Sequence, residues 1–359
     1  MIKITTGQGS PFYSSLKTKV YSHFEENGIS IKGNLVLFIK TGIIITLAVF
    51  LYVYPYTTQM TLSTYLWFRA MSGVVMGLAG FNIGHDGAHG SYSKNEVVNE
   101  IMSWVFDASG ASNFMWKTKH NVIHHGVTNT PEDDDVDTNS ALRLGFWQKW
   151  RFVYIFQPFY AFILYGVLHF FWFAVKDIHK YFTGRIGGRK IKPMTKNQKI
   201  FFWVGKFVYL FKSLILPMIV FGSVKGGLGF IVLEFVCGFI IAIVFQMAHV
   251  QNKAMFYVGN PNINMEWAVF QLKTTADFGT WNPIWFHLFG GLNFQVEHHL
   301  FPDISHVHYR RVRKILKQHC REFNVEYNEY KTFIGVFIDH ISYLCKMAWV
   351  KNHPQPAVV

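Results

Sequence analysis

The chain is poor in charge and in cysteine. Of its 359 residues only 15% are charged, against roughly 25% in an ordinary soluble domain. Its three cysteines, Cys237, Cys320 and Cys345, lie too far apart in sequence for a zinc knuckle or a disulfide framework. Acidic residues are also scarce, 21 against 34 Lys and Arg. No short repeat organises the chain, which excludes collagen-like and coiled-coil architectures, and the apolar half of the composition excludes disorder. What remains is a membrane protein. In that setting a formal charge of +13 speaks for anionic lipid and retained cytoplasmic loops rather than nucleic acid.

Four apolar runs, at about 35–54, 62–81, 201–221 and 228–250, are long enough to cross a hydrocarbon core of roughly 30 Å. They read as two hairpins. A fifth aromatic stretch, 152–175, carries Gln157, Pro158, Gly166 and His169 and is expected to lie at the interface. Basic residues crowd the stretch from Lys176 to Lys199 and the one from Arg310 to Lys317, while the hairpin tips hold only Lys225. Both termini are therefore expected in the cytoplasm. The predicted fold is an all-α integral membrane protein with about four spanning helices and a cytoplasmic histidine-rich cap with interfacial helices. A segment 1–34 precedes its 35–320 membrane domain and a segment 321–359 follows it.

Histidine is the anomaly, at 17 residues. His85 and His89 stand four apart after the second run; His120, His124 and His125 form HNVIHH; His298 and His299 close QVEHH; His249 ends the last run. A single i, i+4 pair arises by chance about once in such a chain, but all three clusters fall at what should be cytoplasmic ends of membrane runs. Seven boxed imidazoles plus His249 exceed what one ion accepts, so two ions are implied. Imidazole suits zinc, copper, iron and nickel alike; an open, redox-active pair able to activate dioxygen decides among them.

Other readings are weaker. His287 is expected at the interface, His169 and His179 in structural roles, and His306 and His308 in a solvated turn. The acidic stretch from Glu132 to Asp137 reads slightly better as a solvated loop than as carboxylates that orient imidazoles. Asp86 and Asp277 are better candidates for that supporting role. Trp104, Trp116, Trp267, Trp281 and Trp285 fit an acyl tunnel or interfacial anchoring equally.

HDGAH, HNVIHH and QVEHH, in that order and spacing, resemble the three histidine boxes of the membrane fatty acid desaturase family. GGLNFQVEHHLFP, from Gly290 to Pro302, and HNVIHHGVTN, from His120 to Asn129, are similar to its front-end acyl and sphingolipid desaturase branch. The resemblance implies oxygen-dependent desaturation of a membrane-associated acyl chain. It also implies two non-haem irons on His85, His89, His120, His124, His125, His298 and His299, with His249 as the extra ligand. Gln295 stands where relatives have a ligand histidine and is expected to support or coordinate weakly. The His-Pro-Gly-Gly haem motif of a fused cytochrome b5 is absent from the sequence, so a separate donor, ferredoxin or cytochrome b5 with its reductase, is expected. A hydroxylase on the same metals is the alternative chemistry. A histidine-rich metal transporter is the alternative class; it would need ionisable residues within the runs, where apart from Glu234 they are scarce.

Overall fold

The structure, a computed structural model, describes residues 3–5, 11–136, 141–257 and 262–351. Helices dominate, and the strands form only two-stranded pairs of two to five residues. In chain order the principal helices are α1 (Pro11–Glu26), α2 (Leu35–Thr57), α3 (Leu62–Ala88), α4 (113–127), α5 (Phe152–Thr183), α6 (Lys196–Phe221), α7 (Ser223–His249), α8 (Trp267–Thr274), α9 (Gln295–Leu300), α10 (Tyr309–Glu322) and α11 (Phe333–Trp349).

Five of these, α2, α3, α5, α6 and α7, are long and apolar enough to cross a membrane. The fifth covers the stretch expected at the interface: 152–175 is part of a continuous 32-residue helix with the length and hydropathy of a span. Its outward face, with Phe152, Phe156, Phe159, Ile163 and Phe170, is exposed and apolar, as a lipid-facing surface should be.

Local signals start and stop these helices. The Asn34 carboxamide accepts from Val36 N at 3.0 Å and opens α2, and Thr61 caps α3 through Thr64 N. Gly222, at φ +86°, makes the turn between α6 and α7 that a residue with a Cβ would adopt only under strain. The two hairpin tips meet: Lys225 Nζ donates to Met60 O at 2.8 Å, and the rings of Tyr56 and Phe221 lie 4.9 Å apart.

α7 is the central helix, in contact with both α3 and α5. Small residues permit the approach. A Cβ at Gly73 would sit 2.6 Å from Leu233 O, and one at Gly238 would sit 2.5 Å from Gly166 O, so backbone packs on backbone where no hydrophobic force between helices is available. The two terminal segments, expected beyond the membrane domain, are packed into the same body. Phe12, Leu16, Val20 and Phe24 of α1 bury against Val312, Leu316 and Cys320 of α10. α11 contributes Val336, Leu344 and Met347 to the principal core.

Candidate metal centre

The end of the bundle opposite the hairpin tips collects the histidines. α3 does not simply continue as an α-helix into its first box: Gly80–Gly84 is a π-helical turn, followed by the α-turn His85–Ala88. α4 repeats the device, with π-helix over Thr118–His124 between Asn113–Lys117 and His125–Val127. π-Turns often mark functional sites because they re-aim side chains. Here the consequence is specific. The His125 N–H bonds the His120 carbonyl five residues back, and the two rings bring their Nε2 atoms within 3.3 Å. His120 and His124 also stay neighbours, with ring centroids 5.1 Å apart, and share a set with Asp135.

Two groups form. His85, His89, His120 and His298 offer nitrogens all within 4.8 Å of one another, and so do His124, His249 and His299; His125 joins His298 and His299 in a third set of the same reach. All eight imidazoles expected as ligands are thus brought together. Their Nε2 atoms crowd: His125 to His298 is 3.0 Å, and His120 to His298 is 3.4 Å. Three mutually close nitrogens cannot all be satisfied by hydrogen bonds among themselves. The Nε2 atoms of His85, His89, His124, His249 and His299 have no hydrogen-bond partner among the described residues. Buried polar atoms are rarely left so. Separations near 3 Å are what an ion about 2.1 Å from each nitrogen would produce. The residues present therefore fit a metal site.

Protonation agrees. Burial above all, and repulsion from neighbouring imidazoles after it, push His89, His125, His298 and His299 well below the usual histidine range. These rings are neutral, the form that ligates. Burial acts on His124 in the same direction and is the largest single influence, but the Asp133 and Asp135 carboxylates together outweigh it and raise the group.

Hydrogen bonds on the far sides of the rings fix their orientation. Asp133 accepts from His124 Nδ1 at 3.0 Å, Gln271 from His299 Nδ1 at 2.8 Å, and the Thr274 carbonyl lies 3.4 Å from His249 Nδ1. The Tyr309 hydroxyl meets His298 Nδ1 at 3.1 Å, and Asp135 lies 3.6 Å from His120 Nδ1. Partial burial acts to raise Asp135, yet the Lys119 ammonium beside it holds it well below the usual carboxylate range. The acidic stretch read as a solvated loop is therefore corrected: Asp133 and Asp134 are buried, and Asp133 carries an imidazole and the Asn129 N–H. Asp137 lies outside the described residues.

The other supporting candidates act differently from expectation. Asp86 sits 4.0 Å from His85 Nδ1, but its closer partners are the Ser305 hydroxyl at 2.7 Å and His306 Nδ1 at 2.9 Å. Asp277 accepts from Val296 N at 3.0 Å and from the Tyr327 hydroxyl, so it holds the backbone of α9 rather than an imidazole among the described residues. Gln295 is buried at the start of α9 with its Oε1 unpartnered among the described residues. His306 and His308, expected in a solvated turn, are buried: Lys40 Nζ lies 2.7 Å from His306 Nε2, and His308 Nε2 lies 3.0 Å from Lys32 O. His287 and His179 stay exposed. Of the tryptophans, Trp116 stacks on His120 with centroids 4.4 Å apart. Gln271 and Tyr309 were missed because nothing in their local sequence distinguishes them from core residues.

A polyhistidine metal site at one end of a bundle of apolar spanning-length helices defines an integral membrane metalloprotein. The fatty acid desaturase family model matches residues 38–331, and the chain belongs to that family. It is similar to the sn-1 linoleoyl-lipid 6-desaturase of Arthrospira platensis, 32% identical over 96% of this chain and 95% of that one. It is likewise similar to the acyl-lipid (8-3)-desaturase of Physcomitrium patens, 32% identical over 96% of this chain and 73% of the relative. The acyl-lipid (8-3)-desaturase of Mortierella alpina is 30% identical over 93% of this chain and 77% of its own. The protein is a fatty acyl desaturase, an oxidoreductase that consumes dioxygen and an acyl chain.

Proposed function

We propose that this desaturase is of the front-end, acyl-lipid type and works with two non-haem irons. One iron would be held by the set His85, His89, His120 and His298, the other by His124, His249 and His299, with His125 between them. The observation that carries this reading is the convergence of unpartnered Nε2 atoms in two adjoining groups. All-imidazole ligation leaves the metal charge largely uncompensated, and bound iron would supply the oxidising power that removal of hydrogen from an unactivated methylene demands.

The chain's own residues do the remaining work. Asp133, Gln271 and Tyr309 lock the tautomer and tilt of His124, His299 and His298. Beside the histidines, a cavity of about 410 Å³ runs between α5 and α7 and is lined by Leu164, Leu168, Ile241, Ala242 and Phe245. An acyl chain held there has one carbon pair beside the centre and the others away from it. That positioning is the source of selectivity, since neighbouring methylenes are chemically almost identical.

Both termini and the histidine face are proposed to be cytoplasmic. Support comes from the basic stretch 176–199 and α10 at the histidine end, with Lys225 at the joined tips. We infer that α5 lies at the interface despite its length. Gln157 near its start bonds Arg143 N, Lys180 near its end bonds Asp134, and both partners belong to the loop after the second box. The electron donor is proposed to be a separate ferredoxin or cytochrome b5 system.

Purified protein, supplied with reductant, oxygen and a lipid-linked fatty acid, is expected to contain iron and to yield a product short of two hydrogens. A product gaining one oxygen would transfer the assignment to a hydroxylase. A transporter would need a free ionisable group within the spans. Glu234 is bonded instead, to His169 Nδ1 at 2.8 Å and to the Tyr209 hydroxyl.

A further inference from the structure

A separate open cleft of about 510 Å³ lies between the short helix Glu96–Ser103, the start of α4 and the start of α6, and shares no lining residue with the cavity between α5 and α7. Its lining includes Glu100, Asp107, Asn113 and Asn121. Asp107 is 6% exposed and Asn113 5%. Even so, Asp107 Oδ2, Asn113 Oδ1 and Asn121 Oδ1 have no hydrogen-bond partner among the described residues. Buried polar atoms are rarely left so, and three on the side chains of one cleft point to a ligand.

The hydrogens around these oxygens are already spent. Asn113 Nδ2 donates to Glu100 Oε1 at 3.1 Å and to Ser103 Oγ at 2.8 Å. Asn121 Nδ2 donates to Ala88 O at 2.9 Å, and Lys117 Nζ to Glu100 Oε2 at 2.5 Å. The buried ammonium of Lys206 goes to Asp177 and to the Gly110 and Phe173 carbonyls. What remains is acceptors, one of them on a carboxylate with no cation bonded to it. Their complement carries positive charge and several N–H donors and no acceptor: a primary ammonium. A hydroxyl group would bring lone pairs that these side chains cannot serve. The rings of Trp104, Phe114 and Phe201 in the same lining suit an organic cation rather than a bare metal ion. Burial above all pushes Asp107 up to about 7, against the Asn113 N–H that holds it down; an ammonium beside it would keep it ionised.

The surroundings indicate what carries the ammonium. Trp104, Val122 and Phe201 of the lining are exposed, as are Val97 and Ile101 of the short helix. That helix therefore presents an apolar face beside the end of α6, as a helix lying on a membrane surface does. Exposed Lys196 and Lys199 flank the lining residues Asn197 and Gln198. Acceptors for an ammonium, lysines for a phosphate and apolar surface for acyl chains occur together. We propose that this cleft binds the headgroup of an ethanolamine-type phospholipid, its ammonium on Asp107, Asn113 and Asn121 and its phosphate toward Lys196 and Lys199. The site is apart from the histidine groups and does not depend on which reaction they perform. Asn121 ties the second box to the first through Ala88 O, so a lipid held there braces the contact between the two.

The test uses full-length protein in nanodiscs and two lipids of equal chain length, phosphatidylethanolamine and phosphatidylcholine, whose quaternary nitrogen has no hydrogen to donate. Retention is measured by native mass spectrometry, independently of turnover. The wild type is expected to hold phosphatidylethanolamine about tenfold more tightly. In D107N that preference should fall about tenfold, with metal content unchanged, because a charge-assisted hydrogen bond is lost. Should D107N fail to fold, N197W, which places a bulky ring at an exposed position of the lining, is expected to remove the preference. Equal retention of the two lipids by the wild type, or an undiminished preference in a folded variant, overturns the proposal. A soluble amine is the other source of the same chemistry. Displacement of the lipid by an equal concentration of phosphoethanolamine would assign the cleft to that source and overturn the lipid, whereas retention supports it.

Discussion

His124 and His340 are equally inaccessible, each 0% exposed, yet they do opposite things. His340 spends both ring nitrogens on the fold: Nδ1 reaches Val250 O at 2.7 Å and Nε2 meets the Tyr165 hydroxyl at 2.8 Å, which ties α11 to α5 and α7. His124 spends only Nδ1, on Asp133, and leaves Nε2 free in a ring of similarly unspent nitrogens. A buried histidine that is bonded on both sides is mortar. One bonded on a single side, with its free nitrogen facing others, is a ligand in waiting. Burial does not separate the two kinds; the census of hydrogen bonds does.

The largest effect that would test this contrast is expected from the second kind. His124→Ala or His298→Ala should abolish desaturation and lower bound iron, while membrane insertion is preserved. Full activity with full iron in either variant would falsify the proposed ligand set. Next comes the support behind the ring. Asp133→Asn keeps the size of the side chain but weakens its grip on Nδ1, and metal affinity should fall about 10- to 100-fold; titration of the apo-protein with ferrous ion reads this directly.

A smaller and different loss is expected from a buried histidine that stands in none of these groups. His169 was read from sequence as structural, and the structure makes it an essential neighbour of Glu234 inside the bundle. His169→Ala should therefore lower the thermal midpoint, by the equivalent of about 1–3 kcal/mol for one lost buried hydrogen-bond partner, while iron content per folded molecule stays at the wild-type level. Loss of iron without loss of stability would blur the two classes.

The smallest effect concerns pH. Burial pushes His340 down to about 4, whereas the unfolded chain protonates its histidine near 6.5. As pH falls from 6.5 toward 4, the unfolded state takes up a proton that the folded state refuses, so His340 makes the fold less stable at acid pH and has no such effect above 6.5. His340→Gln should flatten the acid side of the stability curve. An unchanged slope would assign that slope to other groups.

The class of fold was legible in the sequence because runs of about twenty apolar residues have few other uses. The histidine boxes were legible because three clusters at one end of such runs are improbable by accident. Which histidines share a group was not. The spacing of HNVIHH does not say that His120 joins His298 while His124 joins His249 and His299. The roles of Gln271 and Tyr309 were equally hidden, since α8 and α10 approach the centre from distant positions in the chain. The acidic stretch looked solvated because five carboxylates in six residues normally are; here buried Lys180, half-buried Lys119 and the ring of His124 compensate Asp134, Asp135 and Asp133.

The sequence by itself determined that this chain enters a membrane and carries imidazoles enough for two ions, because composition and short spacing are local properties. The tertiary structure alone decided which nitrogens remain unspent, and that three side chains with an unpartnered oxygen line one cleft. Those depend on which side chains from remote segments arrive to form hydrogen bonds and which do not, and no periodicity in one strand of text records an encounter between two.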